Sequence, residues 1–181
     1  MSIFNSLGSN YSTPFAWRSL TRIGKPSHNR KLEGLLSDHY GGVATLTYKG
    51  RQALRVALEL SNLPSGSKIA INGFTCYVVW QAVVDAGYKP VFVDIAPGSL
   101  HFSVEQLELA RASHDGIEAV VVQNTLGIPC DLPAVEKYCR AEGLLVIEDL
   151  AHSMSAQYEN GVEAGMIGDL VMLSFSQDKP L

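Results

Sequence analysis

From Lys49 onward two apolar rhythms take turns along the chain. Gly50–Leu60 places Ala53, Leu54, Ala57 and Leu58 on one face at helical spacing, and Pro64-Ser-Gly66 stops it. Lys68–Asn72 then reads as a short strand, Cys76–Ala86 as a helix ended by Gly87, and Pro90–Asp94 as a strand. Ser103 with Gln106 three residues later carries capping-box chemistry ahead of the next helix. Ile117–Gln123 is an apolar, β-branched strand. Asp131 caps a helix with Pro133 in its first turn, running to Glu142 and ended by Gly143. Leu144–Asp149 and Leu170–Phe175 complete the set of strands.

Strands that are apolar on both faces and alternate with helices predict an α/β domain. Its sheet is mostly parallel and sandwiched by helices, because βαβ connections cover both faces. The first 45 residues read differently: Asn5–Arg30 mixes Gly, Ser, Asn, Pro and scattered aromatics with no sustained period. We expect an irregular N-terminal arm over 1–45 and the sheet domain over 46–181. The chain runs out at Lys179-Pro-Leu181, immediately after a strand that a parallel sheet would cover, so the sequence is expected to be incomplete.

Composition narrows the function classes. Of 181 residues, 46% are hydrophobic and 18% charged, which suits a packed core rather than disorder. The net charge of −4, with no Lys/Arg run, gives no electrostatic reason to expect nucleic acid as a partner. No apolar run reaches the roughly 18–20 residues of a membrane span, and Met-Ser-Ile-Phe-Asn-Ser at the start lacks the charged and apolar regions of a signal peptide, so none is expected. Three cysteines without CxxC spacing fit reduced thiols and a cytoplasmic location. Five histidines without paired spacing request no metal.

In open α/β sheets ligands collect at the carboxyl ends of strands. The polar residues there are Asn72, Asp94, Gln123, Asn124, Glu148, Asp149 and Ser174. Each one alone could be an ordinary solvated strand end. Asp149, three residues before His152, could hold a cation, meet a ribose or face a protonated ring nitrogen. Neither GxxxxGK[ST] nor GxGxxG is present, which removes the common nucleotide readings. Ser174-Phe-Ser-Gln-Asp-Lys179 puts a hydroxyl at a strand terminus and an amine five residues on. Lys179 is either a solvated surface charge or a candidate Schiff-base nucleophile.

Taken in order, Gly50-Arg-Gln-Ala-Leu54, Asn72-Gly-Phe-Thr75, Ala86-Gly-Tyr-Lys-Pro-Val-Phe-Val-Asp94, Gly127-Ile-Pro-Cys-Asp131, Ile147-Glu-Asp-Leu-Ala-His152, Gly168-Asp169 and Ser174–Lys179 resemble one family. The family is DegT/DnrJ/EryC1/StrS, pyridoxal 5′-phosphate (PLP)-dependent aminotransferases of the aspartate-aminotransferase fold. The resemblance runs from about Gly50 to Leu181. It implies that Lys179 carries the cofactor and moves the proton, and that Asp149 faces the pyridine nitrogen and keeps it protonated. It places His152 near the ring oxygen, where a loop histidine with one structural bond is the alternative. It places Ser174 at the phosphate, together with Gly50, Arg51 and Gln52 at a helix N-terminus.

Three positions depart from the family pattern. Arg51 stands where a small or hydroxylated residue is usual, and Asn124 where histidine is frequent. Cys76 stands at the place of the ring-stacking aromatic, which leaves Tyr77 to stack or else to pack as core. The resemblance implies transfer of an amino group from glutamate to a nucleotide-linked keto-sugar, in polysaccharide or antibiotic-sugar synthesis, by a homodimer. A dehydratase branch of the family replaces the lysine, so Lys179 favours transamination. The family also continues past the lysine into a small C-terminal domain, absent here, so the 181-residue chain alone is expected to be inactive. The alternative function is a non-catalytic or regulatory relative that binds a partner or sugar nucleotide without turnover.

Overall fold

The computed structural model describes residues 12–21, 26–176 and 179. Two helices, α1 (Thr13–Leu20) and α2 (Pro26–Tyr40), precede a regular alternation. It runs α3 (Gly50–Leu60), β1 (Lys68–Asn72), α4 (Tyr77–Asp85), β2 (Lys89–Val93), α5 (Val104–Ser113), β3 (Ile117–Gln123), α6 (Leu132–Ala141), β4 (Leu145–Asp149) and β5 (Leu170–Met172). The five strands form one wholly parallel sheet in the order β2-β1-β3-β4-β5. Pro90, which lacks a ladder N–H, sits on the edge strand β2, where that lack is tolerated.

Alternation along each strand feeds two cores. Ile69, Ile71, Ala119, Val121 and Ile147 point to the face covered by α3 and α4, with Leu54, Leu58 and Val83. Ala70, Val120, Val122 and Val146 point the other way and pack with Leu107, Leu132 and Val135 of α5 and α6. Two covered faces explain why these strands carry no polar alternation. The anticipated caps are present. Asp131 Oδ1 accepts from Ala134 N at 3.3 Å, and Gln106 Oε1 accepts from Ser103 N at 3.2 Å. Among the described residues no helix is long and apolar enough to cross a membrane.

Two expectations need correction. The stretch expected to be irregular contains α1 and α2, while residues 1–11 and 22–25 lie outside the described residues. Ser12 caps α1, Pro26 begins α2, and neither helix buries a residue fully, so no core stripe marks them in the sequence. Contacts rather than an apolar face place α2. His39 Nε2 meets Glu163 Oε1 at 2.9 Å, and the Tyr40 ring lies against Gly165, where any Cβ would overlap it. The second correction concerns β5, which ends at Met172, so Leu173–Phe175 leave the ladder.

A pocket at the carboxyl ends of the strands

The alternation of β4 sends its last two carboxylates to opposite faces of the sheet. Asp149 follows Ile147 toward α3 and α4, while Glu148 follows Val146. On the α3/α4 side a cavity of about 490 Å³ opens, with Asp149 in its wall. Gln123 is the register partner of Asp149 on β3 and lines the same cavity. Its Oε1 accepts from Thr75 Oγ1 at 2.5 Å, which leaves the amide NH₂ as its other polar end.

Asp149 is 2% exposed, and its Oδ1 accepts from Ala151 N at 2.9 Å. Burial pushes its carboxyl up from 3.8 to about 6, opposed by the Ala151 amide and by Lys179. Lys179 Nζ lies 3.0 Å from His152 Nε2, and His152 Nδ1 accepts from Leu126 N at 3.2 Å. Across the cavity, a Cβ at Gly50 would stand 3.6 Å from Ser174 Oγ, so the first residue of α3 rests on Ser174. Lys49, the extended residue before α3, makes no side-chain cap. Gly50 and Arg51 open the helix, where N–H groups have no acceptor within it. The Gln52 amide, by contrast, donates to Lys49 O at 2.9 Å.

The structure therefore brings Gly50, Arg51, Asp149, His152, Ser174 and Lys179 to one cavity. Gln52 and Tyr77 are not in its lining. Tyr77 is 65% exposed, donates its hydroxyl to Gln81 Oε1 at 2.8 Å and packs on Trp80 with ring centroids 5.1 Å apart. Cys76, the residue before α4, faces the cavity in its place. Gln177, Asp178, Pro180 and Leu181 lie outside the described residues.

Cys76, noted in the sequence at the place of the ring-stacking aromatic, lines the site, as does the segment 43–49, which sequence reasoning did not single out. That segment is held by α2: Ala44 N donates to Ser37 Oγ at 2.9 Å and Leu46 N to Glu33 Oε1 at 3.2 Å. Helix α2 thus shapes a wall of the cavity. No periodic signal could have shown this, because the contacts join polar side chains to backbone. Gln123 was visible as a strand-end residue, but only its register with Asp149 ties it to the site.

The remaining strand-end residues are bound elsewhere. Glu148 is fully buried; its Oε2 accepts from Tyr158 OH at 2.8 Å and Gly165 N at 2.7 Å. Its Oε1 accepts from Ile167 N at 2.9 Å and Gly168 N at 2.6 Å. Asn124 Oδ1 accepts from Cys130 N, and its Nδ2 donates to Tyr158 OH, both at 3.1 Å. Asn72 Nδ2 donates to Leu100 O at 2.8 Å. Asp94 accepts from Ile95 N at 2.9 Å.

A parallel α/β sheet with a lysine, a buried carboxylate and an uncapped helix N-terminus around one cavity defines a class of ligand-binding α/β chains. Within that class the sequence is specific. The chain belongs to the DegT/DnrJ/EryC1/StrS aminotransferase family, whose pattern it matches over residues 19–181. It is 30% identical over 132 residues to the pleiotropic regulatory protein of Geobacillus stearothermophilus, covering 73% of this chain and 35% of that protein. It is 27% identical over 162 residues to the dTDP-4-dehydro-2,3,6-trideoxy-D-glucose 4-aminotransferase of Saccharopolyspora spinosa, covering 88% and 41% respectively. The fold superposes with a TM-score of 0.81 on the PLP form of Spr1654, a candidate sugar aminotransferase of Streptococcus pneumoniae. That match has 18% identity over 99% of this chain and 50% of the other. The chain therefore spans between a third and a half of the length of these proteins.

Proposed function

We propose that this chain is the cofactor-binding part of a PLP-dependent aminotransferase that moves an amino group from glutamate to a nucleotide-linked keto-sugar. The observation that carries the reading is the meeting of Lys179, Asp149 and His152 with Ser174 and the start of α3 around one cavity. Family membership supports the transamination, and the S. spinosa relative supports the keto-sugar.

The donor set fits the cofactor's three chemical ends. A buried carboxylate with little internal compensation suits a protonated pyridine nitrogen. Ser174 Oγ and the Gly50 and Arg51 amides suit a phosphate, which the positive end of α3 favours. Lys179 suits the aldehyde carbon. When bound, the cofactor supplies an electron sink for charge developing on the substrate carbon. Asp149 would hold the ring-nitrogen proton, and Lys179 would move the proton on the substrate side. Tyr77 and Gln52 receive no cofactor role.

The same reading has the protein act as a homodimer in the cytoplasm. Val43 and Tyr48 in the wall of the cavity are 96% and 89% exposed, which suits a surface covered in an assembly. Borohydride reduction followed by peptide mass mapping tests the central claim. The pyridoxyl group is expected on Lys179, and an adduct on Lys137, or none, overturns it.

A further inference from the structure

The turn Thr125–Gly127 contains a conformation that its own side chains do not explain. Leu126 has φ of +56°, a left-handed value that a leucine rarely adopts, and its side chain is 49% exposed. Gly127 follows at φ +81°, and a Cβ there would sit 3.0 Å from His152 O. The turn is thus pressed against residue 152. Its ends are tied down: Asn124 holds Cys130 N and Tyr158 OH, and Ile128 N returns to Thr125 O at 3.1 Å.

What this conformation delivers is a pair of amides aimed at two histidine rings. Thr125 N donates to His101 Nε2 at 3.0 Å, and Leu126 N donates to His152 Nδ1 at 3.2 Å. A backbone N–H can only donate, so each accepting ring nitrogen carries no proton. Neutral imidazole has one N–H, which for His152 must then be on Nε2, the nitrogen 3.0 Å from Lys179 Nζ.

We infer that the Thr125–Gly127 turn locks His152 in its Nε2–H tautomer, so that the ring presents a donor, and never an acceptor, to the cavity. Leu126 is the positioning residue and acts through its amide. Two consequences follow. Toward Lys179, 3.0 Å away, the ring offers an N–H and no acceptor. Toward a bound ligand, His152 selects an acceptor, such as an anionic oxygen; this second consequence rests on the proposed function, whereas the tautomer does not.

The test uses the cofactor-free protein labelled with ¹⁵N-histidine, with the His152 ring signals identified by their loss in His152→Gln. Two-bond ¹H–¹⁵N couplings are expected to show a pyridine-like Nδ1 and a protonated Nε2. A protonated Nδ1, or an averaged mixture of tautomers, overturns the inference whatever the protein binds. Two same-sized replacements then probe the donor in the loaded protein. Gln can accept from Leu126 N with its oxygen and donate with its nitrogen; Glu offers acceptors only. The dissociation constant of PLP, read by absorbance, is expected to stay within about threefold in His152→Gln and to rise at least about tenfold in His152→Glu. Equal affinities in the two variants overturn the donor role. Failure of the wild-type protein to bind PLP overturns the proposed function and leaves the NMR result to decide the tautomer.

Discussion

Glu148 and Asp149 are neighbours on one strand, both carboxylates and both out of water, yet they sit in opposite chemical situations. On the α5/α6 side, Glu148 receives three backbone amides and the Tyr158 hydroxyl, so the fold itself satisfies both oxygens. On the α3/α4 side, Asp149 receives the Ala151 amide and lines a cavity. A buried carboxylate costs several kcal/mol unless it is paired or hydrogen-bonded. One face meets that cost internally and so organises the 156–168 loop. The other leaves it to whatever enters the cavity, and burial raises the Asp149 carboxyl accordingly. The two carboxylates thus differ in kind: the fold satisfies both oxygens of Glu148, whereas Asp149 faces a cavity.

The largest effect that would sharpen this contrast is catalytic. Under the proposed function, Asp149→Asn should lower transamination by about 10²–10³-fold, because a bound pyridine nitrogen would lose the charge that keeps its proton, while the circular-dichroism spectrum stays native. Steady-state rates that remain at wild-type levels would reduce Asp149 to a strand-end residue.

Next in size is the matching change on the other face. Glu148→Gln turns an NH₂ toward donors and should cost about 3–4 kcal/mol in urea unfolding. A cost below 1 kcal/mol would show that the 156–168 loop is held by something else.

A pH experiment isolates Asp149 without catalysis. Its folded carboxyl is raised from 3.8 to about 6, so its contribution to stability is fully present below about pH 4 and lost as pH rises through 6. At ~1.4 kcal/mol per pKa unit, the loss is about 3 kcal/mol as an upper bound. Unfolding free energies of the cofactor-free protein at pH 4 and pH 7, each taken relative to Asp149→Asn, measure it. Parallel pH curves for the two proteins would contradict the assignment.

The smallest effect is that of Tyr158→Phe, which removes one of four donors to Glu148 and leaves Asn124 Nδ2 without its acceptor. About 1–2 kcal/mol is expected in the same unfolding assay, with the cavity and its affinity for PLP unchanged. A loss of PLP affinity in Tyr158→Phe would mean that the two faces are coupled.

Much of this molecule is written in local patterns. The apolar rhythm from Gly50 to Met172 marks each helix and strand, because burial on one stripe or on both sheet faces dictates residue type every few positions. The ordered motifs likewise mark six residues that reach one cavity: Gly50, Arg51, Asp149, His152, Ser174 and Lys179. Other features arise only when distant segments meet. Helix α2 buries no residue, so nothing periodic announced it; its place follows from Tyr40 against Gly165 and His39 against Glu163. Cys76 rather than Tyr77 faces the cavity because the direction of the first turn of α4 decides which of two adjacent side chains turns inward. Gln123 joins the site through parallel register with Asp149, and His152 receives its proton arrangement from an amide 26 positions away. Side-chain periodicity is a property of neighbours in sequence and can be read there. Hydrogen-bond polarity at a site is a property of neighbours in space, and the fold had to close before it existed.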